Sequence, residues 1–240
     1  MNNNRIIAMI PARIGSTRLK MKNLALLGGK PLISHVIDSA KGSRCFDKIC
    51  LNSDSVIFAQ IAEQNGIDFY HRSSELGSSS TKSDDVVADF VQDNPCDIVV
   101  WVNPIAPLQT AEEISAVIEY FLKHELDSLF TVDRKYLHSQ YDGNPINYRQ
   151  DEKFAQTQDL KPVDTFVYSI MAWRTKTFLK EMKQKGHAFF AGKVGLYPVA
   201  KESTVIIKTA EDLHMAEALL QAKMHGQCVQ YAEVEKLVEG

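Results

Sequence analysis

The chain has 240 residues, of which 45% are hydrophobic and 24% are charged. This composition is typical of a folded globular protein and excludes intrinsic disorder. The formal net charge of −3 argues against a general nucleic-acid-binding protein, since such proteins are usually strongly basic. We therefore expect one domain over residues 1–240 and no nucleic-acid partner.

The cysteines and the apolar stretches predict a reducing, cytoplasmic location without a membrane partner. No signal peptide is expected, because the residues before Arg5 are polar and uncharged. No apolar stretch reaches membrane-spanning length. The four cysteines, Cys45, Cys50, Cys96 and Cys228, form no CxxC pair and no cluster with zinc-ligand spacing. Cys50 and Cys96 lie in or beside apolar runs, where buried reduced thiols are expected.

The first predicted strand, residues 6–10, is an apolar run that ends at Pro11, which lacks a backbone donor. A basic loop follows, and it carries Arg13, Gly15, Ser16, Arg18, Lys20, Lys22 and Lys30. Cations and a glycine directly after a buried strand suit a polyanion such as a phosphate chain. Charge alone leaves a solvated basic loop as an equal alternative, but ligands bind at the carboxyl ends of strands in open α/β sheets.

The rest of the chain alternates predicted helices with predicted strands. Helices are expected over residues 31–41, 55–64, 84–91, 111–123 and 210–224. Strands are expected over residues 46–51, 67–70, 97–102, 128–132, 167–173 and 195–199. This alternation predicts a Rossmann-like α/β fold, with a mixed, mostly parallel sheet and helices on both faces.

Polar residues between these elements suggest caps and loops. Thr110 is expected to cap the helix that follows it, and Ser53 or Asp54 to cap the helix over residues 55–64. Residues 72–83 form a serine-rich loop, for which a flexible surface loop is the first interpretation.

The stretch IPARIGSTRLKMKNLALLGGKPLI resembles the signature of the sugar-activating cytidylyltransferases. That family includes the acylneuraminate and 3-deoxy-manno-octulosonate enzymes, and it has the nucleotide-diphospho-sugar transferase fold. The resemblance implies a cytidylyltransferase that joins CTP to an acidic 2-keto-3-deoxy sugar and releases pyrophosphate. One departure falls at Lys20-Met21, where the family usually has Pro-Gly, and it restricts the backbone of the loop.

The resemblance also implies site residues. Catalytic roles fall on Arg13, Lys22 and Lys208. Nucleotide contacts fall on Ala12, Arg13, Ser16, Lys22, Asn23, Ser78 and Asn103. Sugar contacts fall on Gln109, Gln158 and Asp159. For Asp54, membership of the active-site rim and a simple capping role remain open.

An insertion over about residues 133–173 resembles the part of the family that carries the dimerisation arm and part of the sugar site. It is polar and long for a connection within a compact domain. A homodimer is therefore expected.

The family uses Mg²⁺ held by aspartates, and this chain departs from that pattern. The aspartates expected before Thr209-Ala210-Glu211-Asp212-Leu213 are replaced by Ile206 and Lys208, so the metal ligands remain unknown. The Lys208 ammonium would stand where the metal would have been, with weakened or altered catalysis. Alternatively, the chain binds a nucleotide or sugar without transferring it. Transfer of another nucleotide is a further possibility.

Overall fold

The computed structural model describes residues 4–16, 18–78 and 80–225. Its strands are β1 (Ile6–Ala12), β2 (Leu26–Leu27), β3 (Lys30–Pro31), β4 (Lys48–Ser53), β5 (Asp68–His71), β6 (Ile98–Val102), β7 (Ser128–Lys135), β8 (Gln140–Tyr141), β9 (Asn144–Pro145), β10 (Val163–Arg174) and β11 (Val194–Pro198). Its α-helices are α1 (Leu32–Ser43), α2 (Ile57–Asn65), α3 (Ser83–Asp93), α4 (Ala111–Lys123), α5 (Thr175–Lys185) and α6 (Ala210–His225).

Seven strands form one sheet in the order β11-β7-β10-β6-β1-β4-β5. The pairs β1–β4, β1–β6, β4–β5 and β7–β11 are parallel, whereas β10 runs antiparallel to both β6 and β7. The expected mixed, mostly parallel sheet is therefore confirmed. From β1 the chain moves outward through β4 and β5 and then returns to place β6 on the other side of β1. This reversal creates a crevice between β1 and β6, where open α/β sheets bind ligands.

Helices cover both faces of the sheet. Successive side chains of β1 point to opposite faces and pack against both layers of helices. Ala8 and Ile10 point toward a core that contains side chains of α1, α2 and α4. Ile7 and Met9 point toward a second core that contains side chains of α3 and α5. A smaller cluster, centred on Leu27 and Ile207, joins the β2–β3 hairpin to α6.

Pro11 does not end the first strand, contrary to the sequence prediction. It pairs in register with Asn52 of β4, and β1 continues to Ala12. On its other side, β1 pairs with β6 only as far as Met9. Pro11 therefore lies where one edge of the strand needs no donor, which is where proline is tolerated in a sheet.

Several other element boundaries differ from the predictions. Strands β4 and β5 extend two and one residues further, helix α5 was not predicted, and α1 begins at Leu32, with Pro31 at its N-cap position. The cap of α4 is confirmed, since the Thr110 hydroxyl accepts a 3.2 Å hydrogen bond from the Glu113 amide. No side chain caps α2, so the capping role expected of Ser53 or Asp54 is wrong.

The predicted insertion is only partly separate from the sheet. Strand β10 pairs with β7 along its length, apart from an irregularity between Phe166 and Met171, and it pairs with β6 from Ile170 to Arg174. The remainder, residues 136–162, contains the β8–β9 hairpin and a short 3₁₀ helix, Thr157–Asp159. We call residues 136–162 the arm. Within the described part of the chain, no helix is both long and apolar enough to span a bilayer.

Candidate active site

A cleft of about 290 Å³ opens at the carboxyl ends of β1 and β6. Strand β1 contributes Ala12 and the following loop to its lining, and β6 contributes Trp101 and the loop that begins at Asn103. Helix α3 and the loop before it form a further wall. The lining residues are Pro11, Ala12, Arg13, Ser16, Arg18, Lys22, Asn23, Arg72, Leu76, Ser78, Thr81, Ser83, Val86, Trp101, Asn103, Pro104, Ile105 and Lys208. The cleft thus occupies the position that the sheet topology favours for a ligand.

The basic loop after β1 folds back over this cleft. A 3₁₀ helix, Lys22–Leu24, closes the loop, and the Leu24 amide donates to the Met21 carbonyl at 2.8 Å. Met21 has φ +50° and ψ +36°, the left-handed conformation that glycine adopts without strain. The departure from glycine at this position therefore leaves the turn intact and places a methionine in an unfavourable backbone conformation.

Lys22 is a partly buried cation of the cleft. Burial, followed by the positive charges of Arg18, Arg13 and Lys208, lowers the pKa of Lys22 to about 8. Lys208 lies far from Lys22 in the sequence, and the fold brings their charges together. The cleft thus concentrates positive charge where a multiply charged anion would relieve the repulsion.

Arg72 forms the base of the cleft, and the sequence analysis did not select it. It is only 5% exposed. Its guanidinium donates to the carbonyl oxygens of Ala12 and Asn52, at 3.0 and 3.1 Å, and lies 3.7 Å from an Asp54 carboxylate oxygen. Burial lowers the pKa of Arg72, while Asp54 raises it. Asp54 therefore acts as the partner of a buried arginine at the edge of the cleft.

Three buried side-chain atoms in the cleft lining lack a hydrogen-bond partner in the structure. They are Asn23 Oδ1, Arg72 Nε and Trp101 Nε1. Buried polar atoms are normally satisfied, and ordered water usually supplies the partner that neighbouring side chains do not.

Comparison with known proteins agrees with this geometry. The cytidylyltransferase family model matches residues 7–236. The N-acylneuraminate cytidylyltransferase of Streptococcus agalactiae serotype V is 30% identical over 217 residues, which cover 86% of this chain and 51% of the relative. The chain belongs to the cytidylyltransferase family.

Two further proteins are similar to this cytidylyltransferase family member over nearly their whole length. The 3-deoxy-manno-octulosonate cytidylyltransferase of Bdellovibrio bacteriovorus is 28% identical, and the match covers 91% of this chain and 99% of the relative. A solved structure of CMP:2-keto-3-deoxy-manno-octonic acid synthetase complexed with CTP has a TM-score of 0.70 at 15% identity, covering 91% of this chain and 99% of that one. That likeness confirms the nucleotide-diphospho-sugar transferase fold. The chain spans about half the length of the Streptococcus relative.

The fold brings together every residue expected to meet the nucleotide, since Ala12, Arg13, Ser16, Lys22, Asn23, Ser78 and Asn103 all line the cleft together with Lys208. Some of these side chains already have partners. The Asn103 side chain donates to the Tyr168 carbonyl at 3.1 Å, and the Ser78 hydroxyl lies 2.9 Å from that of Ser80. Both residues therefore shape the wall as well as line it.

The residues expected to contact the sugar lie elsewhere. Gln109 is 2% exposed, donates to the Glu113 carboxylate and lines a separate cavity near α6. Gln158 and Asp159 belong to the arm, where Gln158 is exposed and bonded to Gln156 and Asp159 lines a third cavity. None of the three lines the cleft formed by its own chain.

The signals for the residues that the sequence analysis missed were weak. Arg72 follows strand β5 and begins a serine-rich loop, so it looked like a surface residue. Trp101 lies within an apolar strand, where nothing in the sequence sets it apart from its neighbours. A rule that examines each residue at the carboxyl end of a predicted parallel strand would have selected Arg72.

The cleft does not fit a magnesium ion held by protein carboxylates. None of its described lining residues is an aspartate, a glutamate or a histidine. In the described ranges, no group of three or more His, Cys, Asp and Glu side chains could hold a metal ion. Mg²⁺ prefers oxygen ligands, usually with one or two carboxylates, and this cleft presents cations instead.

Proposed function

We propose that the protein couples CTP to an acidic 2-keto-3-deoxy sugar of the nonulosonate type, giving a CMP-sugar and pyrophosphate. Membership of the cytidylyltransferase family supports nucleotide transfer, and the acylneuraminate and octulosonate relatives support this class of acceptor. The observation that carries the proposal is the cation-lined cleft at the crevice between β1 and β6.

The cleft has the charges that this reaction requires. The anomeric oxygen would form a bond to the α-phosphorus, the bond from that phosphorus to the bridging oxygen would break, and the hydroxyl proton would pass to solvent. Pyrophosphate leaves with increased negative charge. Fixed cations such as Arg13 and Lys22 would neutralise that charge, which is the main contribution proteins make to phosphoryl transfer.

The choice of cytosine rests on the family, because the matched family model and the similar proteins are cytidylyltransferases. A thermal-shift screen over CTP, UTP, GTP and ATP should therefore give its largest stabilisation with CTP.

A second candidate function is nucleotide binding without transfer. The absence of carboxylates and histidines from the described lining of the cleft favours it, since no side chain there is an evident metal ligand. Loss of preorganised charge at a transition state typically lowers the rate by ~10²–10³.

The test is pyrophosphate release from CTP with a panel of acidic sugars, with and without Mg²⁺. The proposal expects release that depends on one of the sugars, and the binding-only alternative expects CTP affinity without release. Lys22→Met should abolish CTP binding by calorimetry. Lys201→Met is the matched control, because Lys201 is exposed and does not line the cleft. Unchanged CTP affinity in Lys22→Met would contradict the assignment.

We further propose that two copies of the chain form a homodimer through the arm. Five large apolar side chains of the arm are exposed, Tyr136, Leu137, Tyr141, Ile146 and Phe154, with Tyr141 at 78% and Phe154 at 81%. Clustered exposed apolar residues mark interaction surfaces. Because Gln158 and Asp159 lie on this arm, dimerisation would allow them to approach the cleft of the other copy.

A further inference from the structure

The backbone at Lys208 is fixed from both sides. On one side, Ile207 is fully buried, and its amide donates to the Ile105 carbonyl at 2.8 Å, which joins this segment to the loop after β6. On the other side, an Asp212 carboxylate oxygen accepts hydrogen bonds of 2.8 Å from the amides of Lys208 and Thr209. The Lys208 side chain, held between these anchors, lines the cleft beside Ile105.

Two carboxylates, those of Asp212 and Asp54, interact with residues of the cleft. Asp212 raises the pKa of Lys22, so its charge reaches the cleft, but the oxygen described above caps the start of α6. Asp54 Oδ1 lies 3.7 Å from the buried Arg72 guanidinium, has no hydrogen-bond partner and is itself buried. Neither carboxylate is among the residues that line the cleft.

A divalent cation entering this cleft would meet the positive charges of Arg13, Arg18, Lys22 and Lys208. The described lining of the cleft contains these cations and no aspartate or glutamate, so the cleft itself offers no carboxylate to offset the repulsion. A triphosphate carries about four negative charges when it is fully ionised, so the protein's own cations can neutralise it without a metal.

We infer that this cleft holds a nucleoside triphosphate without a divalent cation, with the Lys208 ammonium supplying positive charge that a metal would otherwise supply. The inference rests on the proposed function for the identity of the ligand. It adds that nucleotide affinity does not depend on Mg²⁺.

The experiment is calorimetric titration of CTP into the full chain, once in excess EDTA and once in excess Mg²⁺. The native protein should bind CTP with affinities that agree within about threefold, because no metal ligand is lost. In EDTA, Lys208→Met should weaken binding at least about tenfold, the usual effect of losing a hydrogen bond to a charged group. Lys201→Met should bind as the native protein does.

A second variant tests the role of the charge at this position. Lys208→Asp replaces the ammonium with a carboxylate, and it should bind CTP weakly in EDTA and more tightly when Mg²⁺ is added. Thermal unfolding of both Lys208 variants checks that they are folded. Both variants are expected to fold, because Lys208 is exposed.

The outcomes separate this inference from the proposed function. Native protein that binds CTP only with Mg²⁺ would overturn the inference and leave the proposed function standing. Equal binding by native protein and Lys208→Met in EDTA would overturn the role of Lys208. Native protein that binds no CTP under either condition would overturn both proposals.

Discussion

Arg72 Nη2 donates a 3.0 Å hydrogen bond to the carbonyl oxygen of Ala12. This contact joins the carboxyl end of β1 to the residue that follows β5, across the end of β4. The same guanidinium also bonds the backbone and side-chain oxygens of Asn52, at 3.1 and 3.2 Å. One buried cation therefore holds together the ends of three neighbouring strands at the base of the cleft.

We predict that Arg72→Met destabilises the protein by about 3 kcal/mol, because it leaves buried carbonyls and the Asp54 carboxylate without their partner. Urea unfolding followed by circular dichroism measures this change. Lys185→Met provides the control, since Lys185 makes an exposed ion pair with Glu181 at 2.8 Å and should have little effect. A loss for Arg72→Met no larger than that of the control would show that these hydrogen bonds contribute little.

Lys22 should make nucleotide binding depend on pH. Its pKa of about 8 in the free protein means that it loses its charge as the pH rises through this value. A bound triphosphate favours the charged form and raises the pKa. CTP affinity should therefore fall above about pH 8, and binding at pH 8 to 9 should take up protons. Calorimetry in two buffers with different ionisation enthalpies measures this uptake, and its absence would contradict the prediction.

Lys22 should also make the stability of the ligand-free protein depend on pH. Stability should rise with pH, whereas CTP affinity falls. In the unfolded chain its pKa is about 10.4, so the unfolded state binds more protons between about pH 8 and 10.4. The contribution of Lys22 to the free energy of unfolding therefore rises with pH across this window. Lys22→Met should remove that contribution and stabilise the ligand-free protein at neutral pH, on the order of 1 kcal/mol after allowing for solvent screening. Urea unfolding at pH 7 and pH 9.5 compares the two proteins.

Replacing Met21 with glycine, the residue that its backbone conformation favours, should increase the stability of the protein. Met21→Gly removes the left-handed strain, worth about 1–2 kcal/mol, but it also makes the unfolded chain more flexible. We expect a net gain in unfolding free energy of up to about 1 kcal/mol. Met21→Val should lose stability, because branched side chains tolerate positive φ poorly. If both variants lost stability equally, backbone strain would not be the cause.

The arm should control the oligomeric state. Replacing the exposed Tyr141 and Ile146 together with serine should convert a dimer into a monomer, because it removes apolar surface that a partner would cover. Light scattering coupled to size-exclusion chromatography measures the mass. Val56→Ser is the matched control, since Val56 is 66% exposed at the start of α2, away from the arm. A native protein that is monomeric at all concentrations would refute the homodimer.

Local patterns in the sequence determined much of the fold and part of the site. The apolar run of β1 and the Thr110 cap are local, so the strand and the start of α4 followed from short-range rules. The basic loop was recognisable for the same reason, since its cations follow one another in the chain and lie at the end of a buried strand.

Only the tertiary structure decided which distant residues share the cleft. Lys208 reaches it because Ile207 is buried in the core formed with the β2–β3 hairpin, and Arg72 reaches it because β5 ends beside β4. Gln109 was expected there, but its side chain turns to Glu113 in another cavity. These outcomes depend on how helices and strands pack against one another. Packing brings together residues that are distant in the sequence, and no local pattern in the sequence predicts such contacts.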